Sequence, residues 1–416
     1  MSVPDFAGDV WLCAGQSNME LWLGRVKHMY PDVMSVNNPN IRQFKVPQEY
    51  DFDAPRGEVS GEWVPATPEN ITDFTAVGYF FANNLWEKYR KPIGLLSAAV
   101  GGTPIHAWLA NRAELSNADA EKIQNADAAR IEQYYYKLDQ AESPDGEWKT
   151  GDIRDIREAD PGIVWFRKII DIPEQFAGKP ADVFLGTLVD GDSAYLNGEF
   201  IGGTGYRFPP REYHINALPS GRCELTVRVV SCRGDIHFTR DKPRLLVCEG
   251  RLVSDLNGEW EYRRAATSEW LEKETEMKYK PSGLYNGMIH PLRNVKIKGV
   301  IWYQGESDAG NAEGYAEKFA QMVDDWRKLW GNIPVIAVEL TDYSEDYGWA
   351  ALRREQLKAL SIPNTALVMG YDLGEHNDLH PLNKKTVGDR LARAARRLVY
   401  GESMPNSPYE VLSPCP

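Results

Sequence analysis

The run Gly8-Asp9-Val10-Trp11-Leu12-Cys13-Ala14-Gly15-Gln16-Ser17-Asn18-Met19-Glu20 decides how the rest of the chain reads. Val10 to Ala14 make a short apolar run, the pattern of a parallel strand buried on both faces. Gly15 breaks the strand, and Ser17 stands just beyond it. Leu21, Trp22 and Val26 then lead away in a helix or an irregular segment. A serine on a sharp strand-to-helix turn is well placed to be a nucleophile, because the first helical N–H groups point at any oxyanion formed there. The spacing Gly-x-Ser-x-Met lacks the second glycine of the usual nucleophile elbow, and a serine after a strand also serves as a helix N-cap. The stretch alone leaves both readings open.

Working outward, residues 41–46 read as a second short strand in an otherwise loop-like segment, 38–70. Val77, Phe80, Phe81, Leu85 and Tyr89 recur at helical spacing over 74–90, with Thr72 or Asp73 as N-cap and Pro92 as the stop. Residues 93–100 are again apolar and end at Gly101-Gly102-Thr103. Strand, helix and strand in this order mark a parallel sheet. Residues 111–142 are helical in composition, and 143–157 are rich in Pro, Gly and Asp, as a domain boundary would be. From 162 to about 264 short runs alternate with turn residues, the texture of a β-sandwich, and Asn197-Gly198 marks a two-residue hairpin. After Leu284 the α/β texture returns. Strands are predicted at 295–303, 334–340 and 365–370, and helices at 312–330, 349–360 and 384–400. The expected architecture is an α/β parallel sheet with helices on both faces, residues 1–145 and 266–416, interrupted by an inserted β-sandwich, 146–265.

A chain of 416 residues with 43% hydrophobic and 26% charged residues is ordinary for a globular protein with two or three domains. The net charge of -13 argues against nucleic acid or an anionic membrane as partner. The 13 tryptophans and 20 tyrosines serve core packing, and such rings also stack on the C–H faces of sugars. Cys13, Cys223, Cys232, Cys248 and Cys415 are odd in number and lack a Cys-x-x-Cys pair, so neither a disulfide framework nor a zinc site is indicated, although 223–248 leaves room for one bridge. No transmembrane run is present. The opening residues show no basic and apolar leader pattern, so the expectation is cytoplasmic as given, and periplasmic or secreted if a leader preceded it.

In an open parallel sheet, functional residues gather at the carboxyl ends of strands. Those ends supply Ser17, then Gly101-Gly102-Thr103, then Gln304-Gly305-Glu306, and finally a loop with Asp372, Glu375, His376, Asp378 and His380. These are the parts for acyl transfer: nucleophile, base, orienting acid and oxyanion donors. Each also has a structural reading. The glycine pair could be a turn, Gln304 a loop residue, and Glu306 a cap or ion-pair partner of the 312–330 helix. His380 could pack against its helix, His376 could be solvated, and His106 and His290 could be core or pocket wall.

Several of these motifs occur together and in order: GDVWLCAGQSNME, LLSAAVGGTPIHAWL, GLYNGMIHPL, VIWYQGESDAGN, LRREQ and DLHPLNKKTVGDRLARAA. The series resembles that of the sialate O-acetylesterases, a family of SGNH-type carbohydrate esterases, over residues 5–115 and 280–400. The resemblance implies a flavodoxin-like SGNH sheet. The middle block resembles the jelly-roll, galactose-binding-like module that interrupts the catalytic domain in that family. Members of that family often carry a β-rich stretch ahead of the serine strand, so the expectation is that an accessory part is missing here or was removed.

By the same resemblance Ser17 matches the nucleophile, His380 the general base and Asp378 the acid that orients it. Ser17 N–H, Gly102 and Gln304 match the oxyanion hole. Asp378 stands two residues before His380 where many such enzymes have the acid three before, the place of Asn377, so a Ser-His dyad assisted by a backbone carbonyl or by Glu306 stays open. The expected substrate is an O-acetylated carbohydrate, most of all sialic acid, cleaved through an acetyl-serine with no cofactor and no metal. The motifs read the acetyl group and not the sugar, so acetylated xylan or another polysaccharide stays open. A carbohydrate-binding protein on an inactive esterase frame is the reading of another class. A lipase or thioesterase would want an apolar lid, and no loop suits one. The oligomeric state does not follow from the sequence.

Overall fold

The computed structural model describes residues 3–343 and 348–413. Contacts divide the chain into two compact units, Met1–Lys122 with Glu276–Pro416, and Ile123–Thr275.

The first unit is built on an eight-stranded sheet. Its strand order is Glu410–Leu412, Thr365–Val368, Val335–Val338, Gly299–Tyr303, Asp9–Gly15, Ile93–Ala99, Asn38–Lys45, Val64–Ala66. The two edge strands run antiparallel to their neighbours, and every pairing between them is parallel. All seven residues of Asp9–Gly15 are buried, as a strand covered on both faces requires. Its two neighbours come from opposite halves of the unit, one following it in the chain and one lying beyond residue 298. The sheet therefore reverses its winding at this strand, and a crevice opens at its carboxyl end.

The helices are α1 (Ser17–Glu20), α2 (Ala76–Tyr89), α3 (Asn117–Ala141), α4 (Tyr315–Trp330), α5 (Trp349–Lys358) and α6 (Lys384–Leu398). The core is aromatic where the strands meet α4. Trp302 lies edge-on to Trp108 and Trp326, with ring centroids 5.9 and 5.7 Å away. Helices α2 and α6 come together at Gly388, where a Cβ would lie 2.7 Å from Phe80 Cβ and 2.8 Å from the Phe81 nitrogen.

Several elements differ from the sequence pattern for physical reasons. The N-cap of α2 is Thr75, not Thr72 or Asp73, which belong to the 3-10 turn Ile71–Asp73. Thr75 Oγ1 accepts from Gly78 N–H and donates to the Met19 carbonyl at 2.5 Å, so the cap also fastens α2 to the serine segment. The strand expected from 295 begins at Gly299, because Val295 still donates to Leu292 in a preceding turn. Helix α4 starts at Tyr315, since a 3-10 turn takes up Glu306–Asn311 and Gly314 caps the helix in the left-handed region. Val64–Ala66 is an edge strand inside the stretch read as loop, and its Pro65 suits an edge.

The second unit holds a six-stranded and a four-stranded antiparallel sheet. Gly191–Leu196 and Glu199–Thr204 form the hairpin marked by Asn197-Gly198, both with positive φ (51° and 81°), as a type I′ turn demands. The unit divisions fall at 122/123 and 275/276, where the sequence pattern drew them at 145/146 and 265/266. The end of α3 belongs with the β-rich unit because Leu138 packs against Ile163, Ala265 and Ala266. Just beyond the helix, Glu142 receives Arg228 and Trp165 Nε1. Cys13, Cys223, Cys232 and Cys248 are free thiols, and Cys415 lies outside the described residues. No helix among the described residues is long and apolar enough to cross a membrane.

Gly388→Ala tests the α2–α6 contact. Overpacking it is expected to lower unfolding stability by about 1–3 kcal/mol, read as a lower urea midpoint at unchanged m-value. A wild-type midpoint would show that the helices separate freely.

Candidate active site

Two close approaches aim Ser17 into the crevice. Gly15 has φ of 135°, and a Cβ there would lie 2.1 Å from the Tyr303 carbonyl oxygen, so only glycine lets the strand end run this close to its neighbour. Gln16 N–H donates to that carbonyl at 3.0 Å. Ser17 is then the first residue of α1, with Gln16 in the N-cap position and no side-chain cap, so the serine hydroxyl is not consumed as an N-cap.

His380 completes the pair. Its Nε2 lies 2.9 Å from Ser17 Oγ, joining side chains 363 positions apart in the chain. Asp378 Oδ1 accepts from the main-chain N–H of His380 at 2.8 Å, so this carboxylate holds the histidine's backbone. Both residues are buried. Burial pushes the His380 imidazole down to about 4, the cations Lys384 and Arg25 push the same way, and Asp378 opposes them. The ring is thus neutral over the physiological range and free to accept a proton.

The glycine loop is tied at four successive residues. Gly101 N–H donates to Glu20 Oε2 at 2.6 Å, and the Gly102 carbonyl accepts from Ser307 Oγ at 2.7 Å. The Thr103 carbonyl accepts from Gln304 Nε2 at 3.1 Å, and Thr103 Oγ1 donates to the Val100 carbonyl at 2.8 Å, closing the turn. Gly102 has φ of 76°, and a Cβ there would lie 1.9 Å from the Tyr279 hydroxyl. A Cβ on Gly101 would lie 3.5 Å from Ser17 Cβ, so the loop lies against the serine. Among the described residues, neither the Ser17 N–H nor the Gly102 N–H donates to an internal acceptor.

Gln304 corrects the expectation that its amide faces an oxyanion. It is fully buried, and Nε2 spends its two hydrogens on the Thr103 carbonyl and on Asp308 Oδ2 at 2.6 Å. Its Oε1 accepts from the Tyr315 hydroxyl at 2.8 Å. With both donors committed, the side chain braces the glycine loop from below. Asp308 also receives Ile105 N–H at 2.9 Å, and burial raises its pKa.

Glu306 neither caps α4 nor touches His380 through a hydrogen bond. It accepts from Asn18 Nδ2, and burial raises its pKa. Asp372 is taken by Arg390 in a two-pronged ion pair, and Glu375 accepts from Leu382 N–H at 2.7 Å. His376 is exposed, while His106 and His290 are each bonded to a main-chain carbonyl, of Tyr279 and Arg56. The sequence reading did not single out Asn18, Glu20 or Lys384. Asn18 at least stood inside the serine motif. Lys384 gave no signal, since Lys384-Lys385 at a helix start reads as solvated, yet Lys384 is fully buried and Lys385 is not. No group of three or more His, Cys, Asp or Glu among the described residues is arranged to hold a metal ion.

The chain is similar to known proteins over most of its length. A family model described as carbohydrate esterase, sialic acid-specific acetylesterase matches residues 7–136 and 265–397. The sialate O-acetylesterase of Mus musculus is 24% identical over 428 residues, covering 95% of this chain and 57% of the mouse protein. That of Homo sapiens is 33% identical over 147 residues, 30% of this chain and 28% of the human protein. A crystal structure of a carbohydrate acetylesterase from Xanthomonas citri superposes with a TM-score of 0.54 at 26% identity, covering 95% of this chain and 57% of that one. The chain thus spans little more than half the length of the mouse and Xanthomonas relatives.

The reactivity of Ser17 is open to direct measurement. Inactivation by a serine-directed phosphonate is expected to hold its rate down to about pH 5 and fall below that, because the base is neutral above its depressed pKa. A limb near the ordinary histidine value of about 6.5 would mean that the imidazole is solvated.

Proposed function

The chain belongs to the sialic acid-specific acetylesterase family of carbohydrate esterases, and on that premise we propose that it hydrolyses O-acetyl esters of sialic acid through an acetyl-serine on Ser17. The observation that carries the reading is the 2.9 Å contact between His380 Nε2 and Ser17 Oγ. His380 takes the hydroxyl proton as Ser17 Oγ attacks the acetyl carbonyl. The tetrahedral oxyanion is received by the N–H groups of Ser17 and Gly102, which have no competing acceptor. Collapse releases the sugar alcohol, with the proton returned from His380. Water then attacks the acetyl-enzyme with His380 again as base, freeing acetate and the serine hydroxyl. Asp378 orients the histidine through its main chain, and Gln304 keeps the Gly101–Thr103 loop rigid.

The same premise extends to the architecture. We read the parallel sheet as the SGNH type, which the site at its winding reversal favours. The six- and four-stranded antiparallel sheets of the second unit speak for an inserted jelly-roll module between 146 and 265.

Acetate release from O-acetylated sialic acid tests the function. Ser17→Ala and His380→Ala are each expected to lower kcat by roughly 10,000-fold or more with the fold intact. Release from acetylated xylan alone would keep the chemistry and discard sialic acid. No release from any ester by the folded wild type would favour a carbohydrate-binding protein on an inactive frame.

A further inference from the structure

Asn18 follows the nucleophile in the chain, and its side chain is fully buried beneath it. Every polar atom of its amide is engaged. Nδ2 donates to Glu306 and, at 3.1 Å, to the carbonyl of Leu379. Oδ1 accepts from Lys384 Nζ. Leu379 is the residue before His380, and Lys384 opens α6 four residues after it. One amide beside the serine therefore grips the histidine loop on both flanks.

Lys384 is an unusual residue for that place. It has no exposed surface, and its ammonium lies 5.5 Å from the centroid of the buried Tyr303 ring. An ammonium out of water is costly, and an apolar residue of similar volume often serves stability as well or better. Stability alone gives little reason for a charge here. The charge does lie where it acts on His380. The groups around that imidazole are Ser17 from α1, Asp378 from its own loop, Arg25 from the 3-10 turn Leu23–Val26 and Lys384 from α6. Glu306, from the turn after Gly299–Tyr303, stands beyond Asn18, and Glu375 lies at the start of the histidine loop.

We propose that Lys384 is a positioning residue for the Ser17–His380 pair, holding Asn18 and through it Leu379 so that the imidazole meets the serine, and bringing a positive charge up to the histidine loop. The inference rests on the acetylesterase reading above. The signs agree. Burial pushes Lys384 down only to about 7, so it is charged throughout the acid range in which His380 would otherwise take up a proton. It loses its charge only where the imidazole is neutral anyway. Glu306, held up by burial, offsets the ammonium from the far side of Asn18. It can take a proton when the ammonium is removed, so a lysine substitution does not strand a carboxylate.

The test is the pH profile of acetate release by Lys384→Met and by the double variant Lys384→Met with Glu306→Gln, which removes both charges. In each, kcat at about pH 5 relative to about pH 8 is expected to fall about twofold further than in wild type, since burial still holds the imidazole down, with KM changed less than about threefold. A residue that only fills space would alter thermal stability and leave this ratio alone. Either variant, folded by its thermal transition and keeping the wild-type ratio, overturns the proposal. Failure of the parent reading looks different, since wild type itself would then release no acetate.

Discussion

Two parallel pairings hold the site together, those of Asp9–Gly15 with Ile93–Ala99 and with Gly299–Tyr303. They bring three carboxyl ends side by side from segments far apart in the chain. Gly15, Ala99 and Tyr303 finish level, so Ser17, the glycine loop and Gln304 emerge at one edge. The close approach at Gly15 is the tightest requirement, because any Cβ would collide with the Tyr303 carbonyl and push the serine turn off its neighbour. Gln16 reinforces it. Its Oε1 accepts from the N–H groups of Gly305 and Ser307, at 3.1 and 3.3 Å, so the residue before Ser17 holds the neighbouring strand's exit loop.

The histidine comes to this edge by a separate route. No strand delivers it. It lies in the loop between Thr365–Val368 and α6, and two strands stand between that strand and the serine's, so it must be carried inward. Three features do so. The α2–α6 contact at Gly388 brings the helix close, Asp378 fixes the backbone of His380, and Asn18 clasps Leu379 and Lys384. Asn18 lies in the serine segment and Thr75 fastens α2 to Met19, so two of the anchors tie the histidine loop to that segment, while Asp378 holds the loop to itself. The Ser17–His380 distance is thus set by packing on several sides, which is what the proposed reaction would need of the pair.

Much of this was legible in the residues. An apolar run ending in glycine and serine reads as a strand meeting a turn, and strand–helix–strand texture implies a parallel sheet whose strand ends carry function. The Asn197-Gly198 hairpin was legible for the same reason, since its left-handed turn has few residue solutions. What escaped were features decided by tertiary burial. Lys384 and Lys385 are identical in sequence, and only the packing of α6 makes one a buried ammonium and the other a surface charge. The α3 boundary escaped too, because a helix rich in Ala, Glu and Lys does not declare which unit its few apolar residues, Leu138 among them, will join.

Gln304 shows where motif and geometry part. An amide at the end of a central strand, facing a glycine loop, has the chemistry of an oxyanion donor, and residue type alone cannot tell a donor from a brace. Counting hydrogens decides. A primary amide has two, and here a carbonyl and a carboxylate take both, while a tyrosine hydroxyl fixes the oxygen and so the orientation of the whole group. Turning the amide toward the crevice would leave Asp308 without its strongest partner in a buried place, where a carboxylate can least bear it. On the proposed reading the oxyanion rests on main-chain donors, and Gln304 acts on them through the loop that its amide supports.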